Sequence, residues 1–168
     1  GALLATSAGM TGSALHIVMH AFGKITLFFC AGAILVAAHK TEIGDMRGLG
    51  RQMPITMTAF LIGSLSIIGL PPMGGTWSKW LLMSGAADAG LTIVLAVLAI
   101  SSLLNIVYLL EIPMRGFLRP PAQTGGNGGI REAPLLCVAP LCLTAAGCVV
   151  LFFYPQPVLM LLDTWRLQ

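Results

Sequence analysis

The stretch Gly69-Leu-Pro-Pro-Met-Gly-Gly-Thr-Trp-Ser-Lys79 interrupts an apolar part of the chain with two prolines, three glycines and a lysine. Pro71 and Pro72 lack backbone donors and cannot continue a helix, while Gly74 and Gly75 permit backbone angles that other residues avoid. Inside a membrane such a break is tolerated only where the freed backbone groups face protein or a water-filled cavity. A lysine at that depth is costly and indicates a functional site. The stretch therefore predicts a broken helix that carries an intramembrane lysine.

The composition indicates an integral membrane protein. Hydrophobic residues make up 57% of the 168 positions, charged residues make up 9%, and the mean hydropathy is +0.90. A globular domain carries about 25% charged residues, so this chain lacks the polar surface of a water-soluble fold. Several apolar runs exceed the ~18 residues that mark a transmembrane helix candidate. The net charge of +3 is small and dispersed, so we expect a lipid bilayer and no nucleic acid as partner.

The apolar runs predict an all-α, polytopic bundle of four membrane spans. After a polar turn at residues 7–12, the spans are predicted at about residues 13–38, 55–87, 91–113 and 134–154. The second span is the broken one, since each of its halves is shorter than the ~17 residues that a lone span requires. Residues 1–5 resemble the end of an earlier apolar segment. We therefore expect the chain to be a fragment of a longer polypeptide.

The positions of the basic residues favour one broken span over two separate crossings. The loops 39–53 and 114–133 each hold three Lys or Arg residues, whereas the turn around Asp88 holds none. One broken span places both basic loops on the same side, as the positive-inside rule requires, and two crossings would separate them. We predict that both loops are cytoplasmic and that the protein lies in the inner or plasma membrane.

Four ionisable residues form a candidate proton relay. His16, His20 and Lys24 are spaced four apart and so lie on one face of the first span, while Lys79 follows the helix break. A lysine at a helix centre costs roughly 2.5–3.5 kcal/mol on insertion scales, so two of them need an explanation. Groups that each hold or release a proton, placed in a line across the membrane, are what proton conduction requires. Polar residues that could complete the line are Thr26, Ser66, Ser78 and Asn105.

Other roles for these residues remain open from the sequence. The two histidines could hydrogen-bond between helices without titrating, or bind zinc, although no third ligand is evident. Either lysine could pair statically with an acid on another helix, and the two prolines could form a plain kink. Glu111 lies near the end of its span and is best explained by solvation or by pairing with Arg115. The sequence holds no Gly-rich nucleotide motif, haem-ligand pair or Fe–S cysteine set, so we expect no cofactor and no metal.

Three segments of the chain resemble a known family of antiporter-like, proton-conducting membrane subunits. These segments are His16-Ile-Val-Met-His-Ala-Phe-Gly-Lys24, Leu27-Phe-Phe-Cys-Ala-Gly-Ala-Ile34 and the broken stretch from Gly69 to Lys79. The family is shared by respiratory complex I, membrane-bound hydrogenases and the multisubunit Mrp-type Na+/H+ antiporters. Together with Arg51-Gln-Met-Pro-Ile-Thr-Met57, the segments are most similar to the D-type branch of the Mrp antiporter subunits.

The resemblance implies a specific architecture and function. Family members contain two inverted repeats, each with a broken helix that bears a buried lysine or glutamate, and Lys79 matches that position in the second repeat. The histidine and lysine line of the preceding helix matches residues 16, 20 and 24. The implied protein is a secondary transporter subunit rather than an enzyme, which exchanges H+ for Na+ beside other membrane subunits. The alternative is a proton-translocating subunit of an NADH:quinone oxidoreductase or a hydrogenase. The chain departs from the family at Met19, Gly23 and Gly75-Thr76, which leaves local packing and water access open.

Overall fold

A computed structural model of the chain describes residues 6–120 and 129–166, with side chains as far as residue 162. Its elements are α1 (Ser7–Ala38), a 3₁₀ turn (Ile43–Met46), α2 (Leu49–Gln52), α3 (Pro54–Ile68), α4 (Gly75–Asp88), α5 (Thr92–Leu118), α6 (Leu135–Phe153) and α7 (Gln156–Arg166). Helices α1, α5 and α6 are long and apolar enough to cross a membrane, and α3 is a shorter apolar helix. The predicted all-α polytopic bundle is confirmed.

Helices α3 and α4 form one broken span, as predicted. Helix α3 ends at Ile68, and Gly69 follows in the left-handed conformation with φ of 86°. Both halves pack along α1: a Cβ on Gly23 would lie 2.8 Å from Cδ1 of Ile67 in α3, and one on Gly12 would lie 2.9 Å from Cβ of Leu81 in α4. As the chain advances from α3 to α4, its contact with α1 moves steadily back toward the start of α1. The two halves therefore run in the same direction.

Helix α6 supports the break from the other side. The Gly74 N–H donates to the Cys148 carbonyl of α6 at 2.8 Å. One turn further along α6, the Phe152 carbonyl accepts from the Trp77 indole N–H at 2.9 Å. A Cβ on Gly74 would lie 2.7 Å from the Met19 sulfur of α1. The break thus sits between α1 and α6, which satisfies part of its backbone without water.

Two helices extend beyond the predicted spans. Helix α1 begins at Ser7 rather than near residue 13, because the Thr6 hydroxyl accepts from the Gly9 N–H at 3.1 Å and caps the helix. Helix α5 continues through Pro113 to Leu118. Proline leaves the carbonyl four residues earlier without a helical donor, and here the Ser64 hydroxyl of α3 donates to that Leu109 carbonyl at 3.5 Å.

Loop 39–53 is packed rather than irregular. Loop 39–53 contains the 3₁₀ turn and α2, and Leu49 and Met53 are buried in one apolar cluster with residues of α1 and α3. Part of the predicted loop 114–133 lies outside the described residues. From its end, the Glu132 carboxylate accepts from the Ile55 N–H at 2.6 Å and from the Thr56 hydroxyl at 2.7 Å. Glu132 therefore caps the start of the broken span, where the N-cap residue Met53 makes no side-chain bond.

Candidate functional site

A cavity of about 290 Å³ between α1, α4 and α5 collects the four predicted relay residues. Helix α1 places its histidines and Lys24 there because they are four residues apart on one face. Helix α4 contributes Lys79 from its first turns, directly after the break. The polar side chains that line it are His16, His20, Lys24, Lys79, Ser101, Asn105 and Tyr108. The structure thus brings together residues that lie as far apart in sequence as 16 and 108.

The Lys79 ammonium is held by two neutral acceptors. Its Nζ lies 2.8 Å from the Ile68 carbonyl at the end of α3 and 2.9 Å from the Ser102 hydroxyl of α5. The side chain is half-buried. Ser102 was not among the predicted site residues, and the only sequence signal for it was a pair of serines in an otherwise apolar helix. Helices α3, α4 and α5 therefore meet at the Lys79 ammonium.

His16 is fixed by Ser78. The His16 Nδ1 atom lies 2.9 Å from the Ser78 hydroxyl, which is fully buried and can also donate to the Gly75 carbonyl at 3.0 Å. The hydroxyl can accept from a protonated Nδ1 while it donates to the Gly75 carbonyl, or it can donate to an unprotonated Nδ1 in place of that bond, so it serves either tautomer. The centroids of the His16 and His20 rings are 5.4 Å apart. The two imidazoles are therefore close enough for one bridging water.

The remaining polar candidates have different surroundings. Asn105 lies at the cavity and accepts from the Tyr108 hydroxyl. Thr26 donates to the Phe22 carbonyl at 2.8 Å and faces Cys148 of α6. Ser66 is buried away from the cavity lining. The structure therefore does not place Thr26 and Ser66 in the relay.

The charged residues around the site form few pairs. Within the part of the chain whose side chains are described, the ion pair that forms is Glu111 with Arg115, which confirms the pairing expected for Glu111. Lys24 is exposed at the cavity edge. In the same part of the chain, no group of three or more His, Cys, Asp or Glu side chains is placed to hold a metal ion. The site is thus a cavity of protonatable and neutral polar groups.

This fold and this cavity define a multi-pass membrane protein with a discontinuous helix, whose break borders a cavity lined by ionisable groups. Broken helices that meet buried charges are the usual construction of ion-translocating membrane proteins.

Comparison with known proteins identifies the family. The family model described as NADH:quinone oxidoreductase/Mrp antiporter, transmembrane, matches residues 1–105, and the chain belongs to this family. NADH-quinone oxidoreductase subunit N of Desulforudis audaxviator is 35% identical over 158 residues, covering 88% of this chain and 32% of the relative. Subunit L of the corresponding enzyme of Rickettsia bellii is 39% identical over 134 residues, covering 79% of this chain and 21% of the relative.

Two solved structures share the fold. A chain of the Mrp complex from Dietzia sp. matches with a TM-score of 0.83 and 23% identity, covering 93% of this chain and 37% of that one. A chain of respiratory complex I from Thermus thermophilus matches with a TM-score of 0.68 and 26% identity, covering 87% and 34%. The chain spans about a third or less of the length of these relatives.

Proposed function

We propose that this chain is part of a proton-conducting membrane subunit, in which His16, His20, Lys24 and Lys79 carry protons through the shared cavity. The observation that carries the proposal is the position of Lys79: it follows the helix break and opens into the same cavity as the histidine face of α1. The alternative role for each lysine is a static ion pair, which would need a fixed acidic partner. The bonds of Lys79 are instead to two neutral groups, which hold an ammonium without cancelling its charge.

The chemistry of the cavity suits proton transfer between nitrogen atoms. An ammonium has three N–H donors, and the bonds to Ile68 and Ser102 use two of them, which leaves one for water or an imidazole. When Lys79 gives up this proton, the acceptor becomes hydronium or imidazolium and Lys79 becomes a neutral amine. Histidine suits the next step because its ordinary pKa lies near neutral pH. Lys24, at the exposed edge of the cavity, is placed to exchange protons beyond it.

The proposal is tested by replacing Lys79 with alanine in the complete complex. The complex is reconstituted into vesicles, and proton movement is followed with a pH-sensitive dye. Lys40→Ala is the control, since Lys40 lies in loop 39–53 and outside the spans. We expect Lys79→Ala to abolish proton movement and Lys40→Ala to preserve it. Proton movement at the wild-type rate in a fully assembled Lys79→Ala complex would refute the assignment.

For the whole complex we propose a Na+/H+ antiporter of the Mrp type, with this chain in its D-type subunit. The support is the similarity of residues 15–34 and 51–57 to that branch. The second candidate is a redox-driven proton pump, and it is favoured by the relatives from Desulforudis and Rickettsia, which are subunits of NADH-quinone oxidoreductases. The complex purified from native membranes distinguishes them. ΔpH-driven Na+ uptake without a redox substrate supports the antiporter, whereas proton pumping on addition of NADH supports the second candidate.

We also propose that both basic loops face the cytoplasm. The support is that loops 39–53 and 114–133 each hold three basic residues, whereas the turn around Asp88 holds none. With a single broken span between α1 and α5, both basic loops lie on the same side of the membrane. A cysteine at Lys40, labelled with a membrane-impermeant maleimide, tests the orientation. We expect labelling in inverted vesicles and none in intact cells.

A further inference from the structure

The double proline does more than end helix α3: it frees a carbonyl beside Lys79. In an α-helix the carbonyl of residue i accepts from the N–H of residue i+4, so the helical partner of Ile68 would be residue 72. That residue is proline and has no N–H. Ile68 is buried, and a carbonyl without a partner is costly at membrane depth. The Lys79 ammonium takes the place of the missing donor, with its Nζ 2.8 Å from the Ile68 oxygen.

The path of the Lys79 side chain explains the glycine next to this carbonyl. A Cβ built on Gly69 would lie 2.7 Å from Cδ of Lys79, and the φ of 86° at Gly69 also disfavours any other residue. Gly69 therefore leaves room for the aliphatic part of the lysine as it folds back toward α3. The glycine at the break and the lysine ten residues later therefore pack against each other.

Helix α5 supplies the second hydrogen-bond acceptor for the Lys79 ammonium. The Ser102 hydroxyl lies 2.9 Å from Nζ, on a helix that otherwise presents mostly apolar residues. A hydroxyl can accept from an ammonium and can donate to the lone pair of a neutral amine. Ser102 can therefore remain hydrogen-bonded to Lys79 before and after the lysine loses a proton. A carboxylate in the same place would bind the ammonium more strongly and oppose the release of the proton.

We propose that Ser102 is a positioning residue for Lys79: together with the carbonyl that Pro72 leaves free, it holds the lysine nitrogen at the cavity in both protonation states. This inference rests on the proposed role of Lys79 in proton conduction. The titratable groups that share the cavity with Lys79 are His16, His20 and Lys24 on α1 and Tyr108 on α5. Helix α3 presents its backbone carbonyl to Lys79 and contributes no titratable side chain to the cavity lining.

The test measures the pH profile of proton conduction in the reconstituted complete complex for Ser102→Ala, Ser102→Thr and Ser102→Cys. Thr92→Ala is the control, because Thr92 is an exposed hydroxyl residue on the same helix and lies outside the cavity lining. Loss of an acceptor destabilises the ammonium form, so the midpoint of the profile in Ser102→Ala should move to lower pH. The expected shift is about one pH unit, the low end for a hydrogen bond to a charged group, because Lys79 is only half-buried.

Threonine keeps the hydroxyl and should restore the wild-type midpoint, whereas the thiol of Ser102→Cys is a weaker acceptor and should give an intermediate shift. These two variants decide the question if Ser102→Ala fails to assemble. A wild-type midpoint in Ser102→Ala, or equal shifts in Ser102→Ala and Thr92→Ala, overturns the inference, and so does a cysteine variant that matches threonine. If Lys79→Ala abolishes conduction while every Ser102 variant has the wild-type profile, the proposed function stands and only the role of Ser102 fails. If Lys79→Ala conducts normally, both fail.

Discussion

Replacing Glu132 should loosen the start of the broken span without changing its sequence. Helix α3 begins at Pro54, and its N-cap residue Met53 provides no side-chain acceptor. The Glu132 carboxylate fills that role from a distant part of the chain, with Oε1 2.6 Å from the Ile55 nitrogen and Oε2 2.7 Å from the Thr56 hydroxyl. Two substitutions separate the effects: Glu132→Ala removes both acceptors, and Glu132→Gln keeps one neutral oxygen.

The magnitudes follow from the exposure of each partner. Ile55 is exposed, so water can replace the carboxylate at its N–H, and this loss resembles an N-cap substitution of about 1 kcal/mol. Thr56 has no exposed surface, so its hydroxyl would lose its partner at a cost of about 1–2 kcal/mol. We expect Glu132→Ala to destabilise this end of α3 by about 2–3 kcal/mol and Glu132→Gln by about 1 kcal/mol.

Hydrogen–deuterium exchange of the assembled complex measures this local stability directly. Since 1.4 kcal/mol corresponds to a factor of ten, backbone amides of residues 55–60 should exchange about 30–150 times faster in Glu132→Ala and about five times faster in Glu132→Gln. Glu42→Ala is the control, because Glu42 is exposed in loop 39–53. Exchange in Glu132→Ala that matches this control would show that the carboxylate does not cap the helix in solution.

Two further predictions concern packing. Gly12→Ala should destabilise the protein by about 1–3 kcal/mol, because the new Cβ would lie 2.9 Å from Leu81 of α4. Gly32→Ala on the same helix meets nothing within 4 Å and should be neutral or stabilising, and unfolding curves in detergent compare the two. Cys30 is fully buried and Cys142 is exposed, so in detergent solution N-ethylmaleimide should modify Cys142 faster than Cys30, as read by mass spectrometry. Equal labelling rates would contradict this packing.

The broken span was predictable because proline and glycine act locally. Pro72 removes a donor whatever surrounds it, and the charges of the loops restrict the topology without any knowledge of packing. The four-residue spacing of His16 and His20 likewise fixes a common helix face. These features depend only on covalent structure and on the helical period, so they could be read from a single sequence.

The features that were missed depend on contacts between distant residues. The polar residues 7–12 form a helix because their glycines pack closely against α4, where Gly85 approaches Gly9. Pro113 stays inside α5 because Ser64 donates to the carbonyl that the proline frees. Ser102 lies 23 residues from Lys79, on another helix, and nothing in its neighbourhood marks it as a partner. Small and hydroxyl side chains gain their roles from what lies opposite, which local patterns do not encode.

The break also has an electrostatic consequence. A continuous helix carries its partial charges at its two ends, about −0.5 at the C-terminus and +0.5 at the N-terminus, and these would lie at the membrane surfaces. Here α3 ends at Ile68 and α4 begins at Gly75, so one negative and one positive helix end lie inside the bundle. The Lys79 ammonium rests at the negative end. The backbone therefore places a negative partial charge on the α3 side of the break and a positive partial charge on the α4 side. Both partial charges remain after any side-chain replacement that keeps the helix interrupted.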